Sequence, residues 1–319
     1  MTAISVVIGV YNGAATLPQT LDSILGQSET DFECIAVDDG STDATPQILA
    51  SYAARDPRIR VIHQSNAGLT RALIAGCARA RGMYIARHDA GDLSDPRRFA
   101  LQKRALDADP ELVLVSNATQ FAGPELEPLY VAAPTGAART PAFVLDLGSE
   151  APLLDGPTHH GSVMFRRDAY ERAGGYRAEF YYGQDFDLWY RLALLGKFQI
   201  LPETLYTARI TADSISTGAR VLQERIARLS RAAIAARHRG ESDAAIVSEA
   251  ANIRKARSRR GGRRGPALYF IGEALRRNGD ARARGYLAGS LRARPFSLRA
   301  WLRYFQALLL SPTMKRDGD

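Results

Sequence analysis

Short apolar runs rich in β-branched residues alternate with amphipathic stretches along the first hundred residues. This pattern predicts strands at Ile4–Val10, Phe32–Asp38, Ile59–His63 and Met83–His88, separated by helices from about Thr16, Thr45 and Leu69. Thr45-Pro46 reads as an N-cap followed by proline at the first helical position, and Asp95-Pro96 repeats the device. Glu111 to Ser116 is a further buried strand. Pro124, Pro128, Pro134, Gly136 and Pro141 then predict a long loop-rich region. Regular signals return at Ser162–Phe165, followed by Gly174-Gly175 and an amphipathic helix that starts near Gln184-Asp185 and repeats Leu188, Trp189, Leu192 and Leu195 at helical spacing. Beyond Ser216 the pattern is helical throughout, broken by the arginine- and glycine-rich segment 254–264, which reads as a linker. The last helix carries Trp301, Phe305, Leu308 and Leu309 on one stripe beside Arg299 and Arg303. Packing against neighbouring helices is the expected use of that stripe, with a membrane surface as the alternative.

The repeating β-α-β order predicts an α/β fold, and 319 residues at 46% hydrophobic content allow one large or two smaller domains. The expected division is a nucleotide-binding domain over 1–216 and a basic helical region over 217–319, with a flexible linker near 254–265. Charge changes the picture of the second part. Residues 211–319 carry 23 Lys and Arg against 9 Asp and Glu, leaving 19 against 25 upstream, so the formal net charge of +8 hides a mildly acidic body and a strongly basic tail. Such a field suits nucleic acid, anionic lipid or lipid-linked pyrophosphates, or plain solvated helix faces; of these, nucleic acid is not an expected partner. Cys34 and Cys77 fall in a strand and a helix and read as buried apolar residues in a reducing compartment. Met1 leads almost directly into the first strand, and no run reaches the length of a membrane span, so the expected location is cytoplasmic, with peripheral contact at the membrane face.

Two strand ends hold the candidate chemistry. In a doubly wound sheet the polar turns after parallel strands lie at the carboxyl edge, where nucleotides bind. Tyr11-Asn12-Gly13 follows the first strand and Asp38-Asp39-Gly40-Ser41 closes the second. A carboxylate there can accept hydrogen bonds from a ribose or base, and an aromatic ring can stack on the base. The competing use of Asp38 or Asp39 is to cap the turn.

The stretches Ser5–Gly13, Asp38–Asp43, Asn66–Leu69 and Tyr84–Asp92, continued by Gly161–Arg167, Ala173–Tyr176 and Gln184–Arg191, resemble the family 2 glycosyltransferases over roughly residues 1–216. The resemblance implies a GT-A fold, a Rossmann-like nucleotide-binding mixed sheet here followed by a C-terminal helical extension. It also implies a nucleotide-sugar donor, expected to be uridine-linked, and a saccharide or lipid-linked acceptor in surface polysaccharide synthesis. Inversion at the anomeric carbon belongs to the same set of expectations. The Gln-x-x-Arg-Trp signature and membrane spans of processive relatives are missing from the sequence, which favours addition of single sugars.

By that resemblance Tyr11 and Asp39 hold the nucleoside, while Gly9, Asn66 and Gly68 let the backbone approach the donor. Asp89 and Asp92 are the candidate ligands of a divalent cation, Mn or Mg, because hard carboxylate oxygens suit such ions. Gly91 and Thr211 replace two usual ligand types, and Arg87 is the alternative counter-charge for the diphosphate. Asp185 matches the general base that takes the acceptor proton, with Gln184 beside it in place of the usual glutamate. His159 and His160 point to opposite faces of an extended chain, and His160 is the one assigned to the acceptor side. Asp187 and Arg191, four apart, are expected to pair on the helix face. Two other readings stay open: a sugar nucleotidyltransferase, which would need a basic glycine-rich loop after the first strand, and a non-catalytic nucleotide-sugar-binding protein.

Overall fold

The computed structural model describes residues 2–134, 156–181, 183–211, 220–253 and 264–310. The expected alternation appears as β1 (Ile4–Val10), α1 (Leu17–Leu25), β2 (Phe32–Asp38), α2 (Thr45–Arg55), β3 (Ile59–His63), α3 (Leu69–Cys77) and β4 (Tyr84–Asp89). β1 pairs in parallel with both β2 and β4, and β2 with β3. Side chains alternate across these strands as a pleated chain requires. Ile4, Val6, Ile8 and Val10 pack with Leu17, Leu21, Leu49 and Phe99 on one face, whereas Val7 and Ile85 pack with Leu73, Leu188 and Trp189 on the other. Both cysteines are free and buried, and burial pushes each thiol up to about 12.

Further along lie β5 (Leu93–Ser94), α4 (Arg98–Ala108), β6 (Leu112–Ala122), β7 (Pro128–Ala132), a 3-10 turn (His160–Ser162), β8 (Met164–Arg166), α5 (Arg167–Arg172), α6 (Gln184–Ala193) and β9 (Lys197–Arg209). The described strands form one mixed sheet in the order β3-β2-β1-β4-β8-β6-β9-β5, with β7 on β6. β4 and β6 both meet β8 antiparallel, as β5 does β9. Two strands run against the sequence reading: β7 lies inside the region expected as loop, and β9 went unassigned. Gly136 and Pro141 of that region lie outside the described residues. The helix starts also move by one to two residues. Thr45 is inside α2, and Asp43 accepts its amide at 3.0 Å, while Asp95 accepts the amide of Arg97 at 2.9 Å.

After β9 come α7 (Arg220–His238), α8 (Ala244–Asn252), α9 (Arg264–Arg277), α10 (Ala283–Ala293) and α11 (Leu298–Leu308). The chain divides into two compact units. One comprises residues 1–119, 132–208 and 221–254; the other comprises 120–131, 209–220 and 255–319. Nearly all of α7 and the whole of α8 fall in the first unit. The boundary expected at 216 and most of the expected linker lie outside the described residues. In the second unit Leu129, Ile271, Leu275, Ala283, Leu287 and Ala307 form a small core. The aromatic stripe of α11 differs from expectation: Trp301, Phe305, Leu308 and Leu309 are exposed. Among the described residues no helix is long and apolar enough to cross a membrane.

Candidate active site

The register of β1 on β2 sets Val10 beside Asp38, so the turns that follow emerge side by side, and the Asp39 amide donates to Val10 O at 2.8 Å. Tyr11 stands half-exposed on the first turn. Both aspartates are buried, with different work. Asp38 accepts the Ser41 amide at 3.0 Å and faces His63 Nδ1 at 3.0 Å; these contacts, opposed by burial, hold its carboxyl below the usual range. It is the turn cap. Asp39 accepts from Gln64 Nε2 at 2.6 Å and from the amides of Ala67 and Gly68 at 2.9 and 2.8 Å, and its carbonyl accepts from Asn66 Nδ2 at 3.0 Å. Three of the roughly four acceptor positions of a carboxylate are thus committed to shaping the 64–68 loop, leaving one toward a ligand.

That loop reaches the far side of the site. Gly68 has φ +91°, and a Cβ there would lie 2.8 Å from the Tyr181 ring. Thr70 Oγ1 donates to Phe180 O at 3.3 Å. The segment leading into α6 is thereby anchored to the loop that Asp39 organises. Gly9 serves packing: a Cβ would meet Leu69 Cδ1 at 3.0 Å.

β4 ends in the second cluster. Gly91 adopts φ +102°, a conformation open to glycine, and the turn it permits returns the Asp92 amide to Asp89 O at 3.3 Å. Glycine at the third position, a departure by sequence, is the residue that brings Asp92 back beside Asp89. One oxygen of each carboxylate and a nitrogen of His159 gather within 4.8 Å of one another. His159 Nδ1 lies 3.8 Å from Asp89 Oδ2 and 3.9 Å from Asp92 Oδ2, within the roughly 4 Å that two donors at about 2.1 Å from one cation can span. The two hard carboxylate oxygens fit Mn or Mg, and His159 Nδ1, which accepts the Gly161 amide at 3.0 Å, would exchange that bond for one to the ion.

The cluster is held in place from below. Tyr206 on β9, beside Ser94 in the sheet, donates its hydroxyl to Asp92 Oδ2 at 2.9 Å and accepts the Asp89 amide at 3.0 Å. Its ring stacks on His159, and Arg98 lies 4.9 Å over it. Gly161 sits so close that a Cβ would fall 2.0 Å from the Tyr206 oxygen. Arg98 is fully buried, and its guanidinium donates to Ser94, Gln102, Arg87 O and Val163 O. Burial lowers it to about 10. Arg87, also buried, pairs with Asp89 at 2.5 Å. Burial works against the charge of Asp89, and the Arg87 guanidinium overrides it, holding the carboxyl well below its ordinary range. Arg87 is therefore committed to Asp89. Burial also keeps His88 neutral, down to about 3, and lowers His159.

The histidine pair does split across the chain. His159 joins the carboxylates, while His160 is buried against Tyr176, its Nε2 2.8 Å from the hydroxyl, and against Trp189. Thr211, at the other substituted position, ends the stretch after β9.

Asp185 occupies the first turn of α6, whose N-cap Gly183 is left-handed at φ +68°. Gln184 beside it is buried. Burial, aided by the charge of Asp89 and opposed by the Phe186 amide and by Arg87, raises the Asp185 carboxyl to about 6. Asp89 and Arg87 are thus among the charges that act on the Asp185 carboxyl. Asp187, two residues on and so on the other side of the helix, faces away. It is fully buried between Arg177 and Arg191, the latter at 2.6 Å, which is the expected helix-face pair enlarged into a triad. Tyr206 and Arg98 had no signal in the local pattern, and Gly161 entered only as the first residue of a family-like stretch.

A model of the family described as glycosyl transferase family 2 matches residues 5–173, more than half of the chain. The chain is 35% identical over 216 residues to the putative glycosyltransferase EpsE of Bacillus subtilis, covering 66% of this chain and 74% of that protein. It is 25% identical over 213 residues to a hyaluronan synthase of Pasteurella multocida, covering 67% of this chain but 21% of the synthase. Among solved structures, S. aureus TarS 1-349 in complex with UDP-GlcNAc superposes with a TM-score of 0.55 at 18% identity, covering 96% of this chain and 89% of that one. The last likeness shows the GT-A fold. With the family model and EpsE it agrees with the motif order, and the chain belongs to glycosyl transferase family 2.

Proposed function

We propose that this glycosyltransferase moves a single sugar from a uridine-linked nucleotide donor to a saccharide or lipid-linked acceptor, with inversion. The observation that carries the reading is Asp185: a carboxylate at a helix start, raised to about 6 by burial and within electrostatic reach of Asp89 and Arg87. A general base works best when its pKa lies near the operating pH. In the proposed step the acceptor hydroxyl oxygen attacks the anomeric carbon, its proton passes to a carboxylate oxygen of Asp185, and the bond to the diphosphate oxygen breaks on the opposite face.

Asp89, Asp92 and His159 would hold a divalent cation, which when bound supplies positive charge to the diphosphate. Tyr206 fixes the Asp92 carboxylate and the Asp89 backbone amide from beneath, and Asp39 shapes the loop that flanks the nucleoside while Tyr11 offers its ring. Surface polysaccharide synthesis is supported by what the hyaluronan synthase is named for, and the uridine donor by the ligand of TarS.

The test is a panel of nucleotide sugars screened by thermal shift, since a ligand that binds only the folded state raises Tm, followed by proton NMR of the product. An inverted anomeric configuration that is lost with Asp185→Asn supports the reading. Retention of configuration, or undiminished transfer by the variant, refutes it.

A further inference from the structure

Helix α11 wears its amphipathicity inside out. The small residues Ala300 and Ala307 are buried in its own unit, with Tyr304 partly so. Leu298, Trp301, Leu302, Phe305, Leu308 and Leu309 recur at spacings of three and four, so they share the opposite side. They are 40–86% exposed, and Phe296 just before the helix is 96% exposed. A helix that served only its own core would present the large residues inward.

The charge around this stripe is one-sided. Residues 264–310 carry nine arginines against two acidic residues. Both acidic groups are engaged, Glu273 by Arg276 and Arg277 and Asp280 by Arg282. Arg292, Arg294 and Arg299, exposed next to Phe296 and Leu298, make no ion pair to a carboxylate among the described residues.

We infer that this face of α11 seats on an anionic lipid surface, with Phe296, Trp301, Leu302 and Phe305 entering the acyl boundary and Arg292, Arg294 and Arg299 meeting the headgroups. Trp, Phe and Leu on one side and arginine along the edge is the composition that lies in a membrane interface. A second copy of the chain is the other occupant to weigh. A two-fold contact through this stripe would bring each arginine cluster near its own image, whereas anionic headgroups neutralise it. The inference does not depend on the donor, the acceptor or the catalytic roles above.

The experiment is co-sedimentation of the full chain with vesicles of phosphatidylcholine alone and with phosphatidylglycerol-rich vesicles, at low and high salt. Binding is expected on the anionic vesicles, weakening with salt. Arg292→Gln/Arg294→Gln/Arg299→Gln should lower the anionic affinity by up to about a hundredfold, and Trp301→Ser/Phe305→Ser by about tenfold or more. Acrylamide quenching of the exposed Trp301 should fall when vesicles are added. Circular dichroism and sugar transfer to a soluble acceptor should be unchanged in both variants. Equal partition onto the two vesicle types, or anionic binding indifferent to both sets of substitutions, overturns the inference. So does a failure to bind accompanied by a concentration-dependent dimer that Trp301→Ser/Phe305→Ser abolishes, which would assign the face to a second copy.

Discussion

Asp185→Asn should make the protein more stable while disabling it. The carboxyl rises from 3.8 to about 6 in the fold, chiefly through burial. A raised carboxylate pKa means that the folded state holds its proton longer than the unfolded one. Stability therefore falls as pH rises from about 4 to about 6, and the loss persists above that window. At 1.36 kcal/mol per pKa unit the full penalty is about 3 kcal/mol, and the partial exposure of Asp185 reduces it to about 1–2 kcal/mol. Asparagine keeps the carbonyl oxygen that accepts the Phe186 amide and carries no charge. In chelator at pH 7.5 the variant should melt about 2–6 °C higher than the parent, and the two should converge near pH 3.5. Transfer should fall by about 10²–10⁴-fold. In the parent, kcat/KM should climb with pH through about 6 as the base loses its proton. The assay is paired melting curves and initial rates across pH. A variant less stable than the parent at pH 7.5, or one that retains transfer, would refute the reasoning.

Further outcomes follow from neighbouring groups. Tyr206→Phe removes the hydroxyl that bridges Asp92 and the Asp89 amide; it should cost about 1–2 kcal/mol of stability and weaken Mn affinity by about 10–100-fold in a direct titration. Gly91→Ala places a side chain at φ +102°, so about 1–3 kcal/mol of strain should appear as a lower urea midpoint, together with loss of cation binding. Asp187→Ala leaves Arg191 buried without its carboxylate and Arg177 with Asp243 alone; a loss of about 3–5 kcal/mol should be seen in denaturant melts, and a smaller loss would make the triad unimportant.

The parallel core of the sheet was legible because β1 and β2 are buried on both faces and so read as largely apolar runs ended by polar turns. β9 was not legible. It contains Pro202 and three successive exposed residues, Pro202, Glu203 and Thr204, and what it contributes to the site, Tyr206, acts across 114 residues of sequence. The candidate ligands were read partly, and for a physical reason. Asp89 and Asp92 were visible as carboxylates, but their approach depends on the left-handed turn at Gly91, and a sequence motif does not display dihedral angles. His159 and His160 could be assigned to opposite faces from adjacency alone; their partners, Asp89 and Asp92 for one and Tyr176 for the other, are distant in sequence. Asp39 was expected to face a ligand, and it was the 64–68 loop, folding back onto it, that took most of its acceptor capacity. The exposure of the α11 stripe was likewise beyond the pattern, since periodicity marks an apolar side without saying what lies against it.

The central claim is that Asp89, Asp92 and His159 act together as one cation site facing the donor diphosphate, with Asp185 separate from it. Electron paramagnetic resonance of Mn(II) mixed with the protein and UDP tests this directly. The account predicts that the free-ion signal is depleted by the parent and by Asp185→Asn, and returns with Asp89→Asn, Asp92→Asn and His159→Ala. Free-ion spectra that are the same with parent and ligand variants would contradict it.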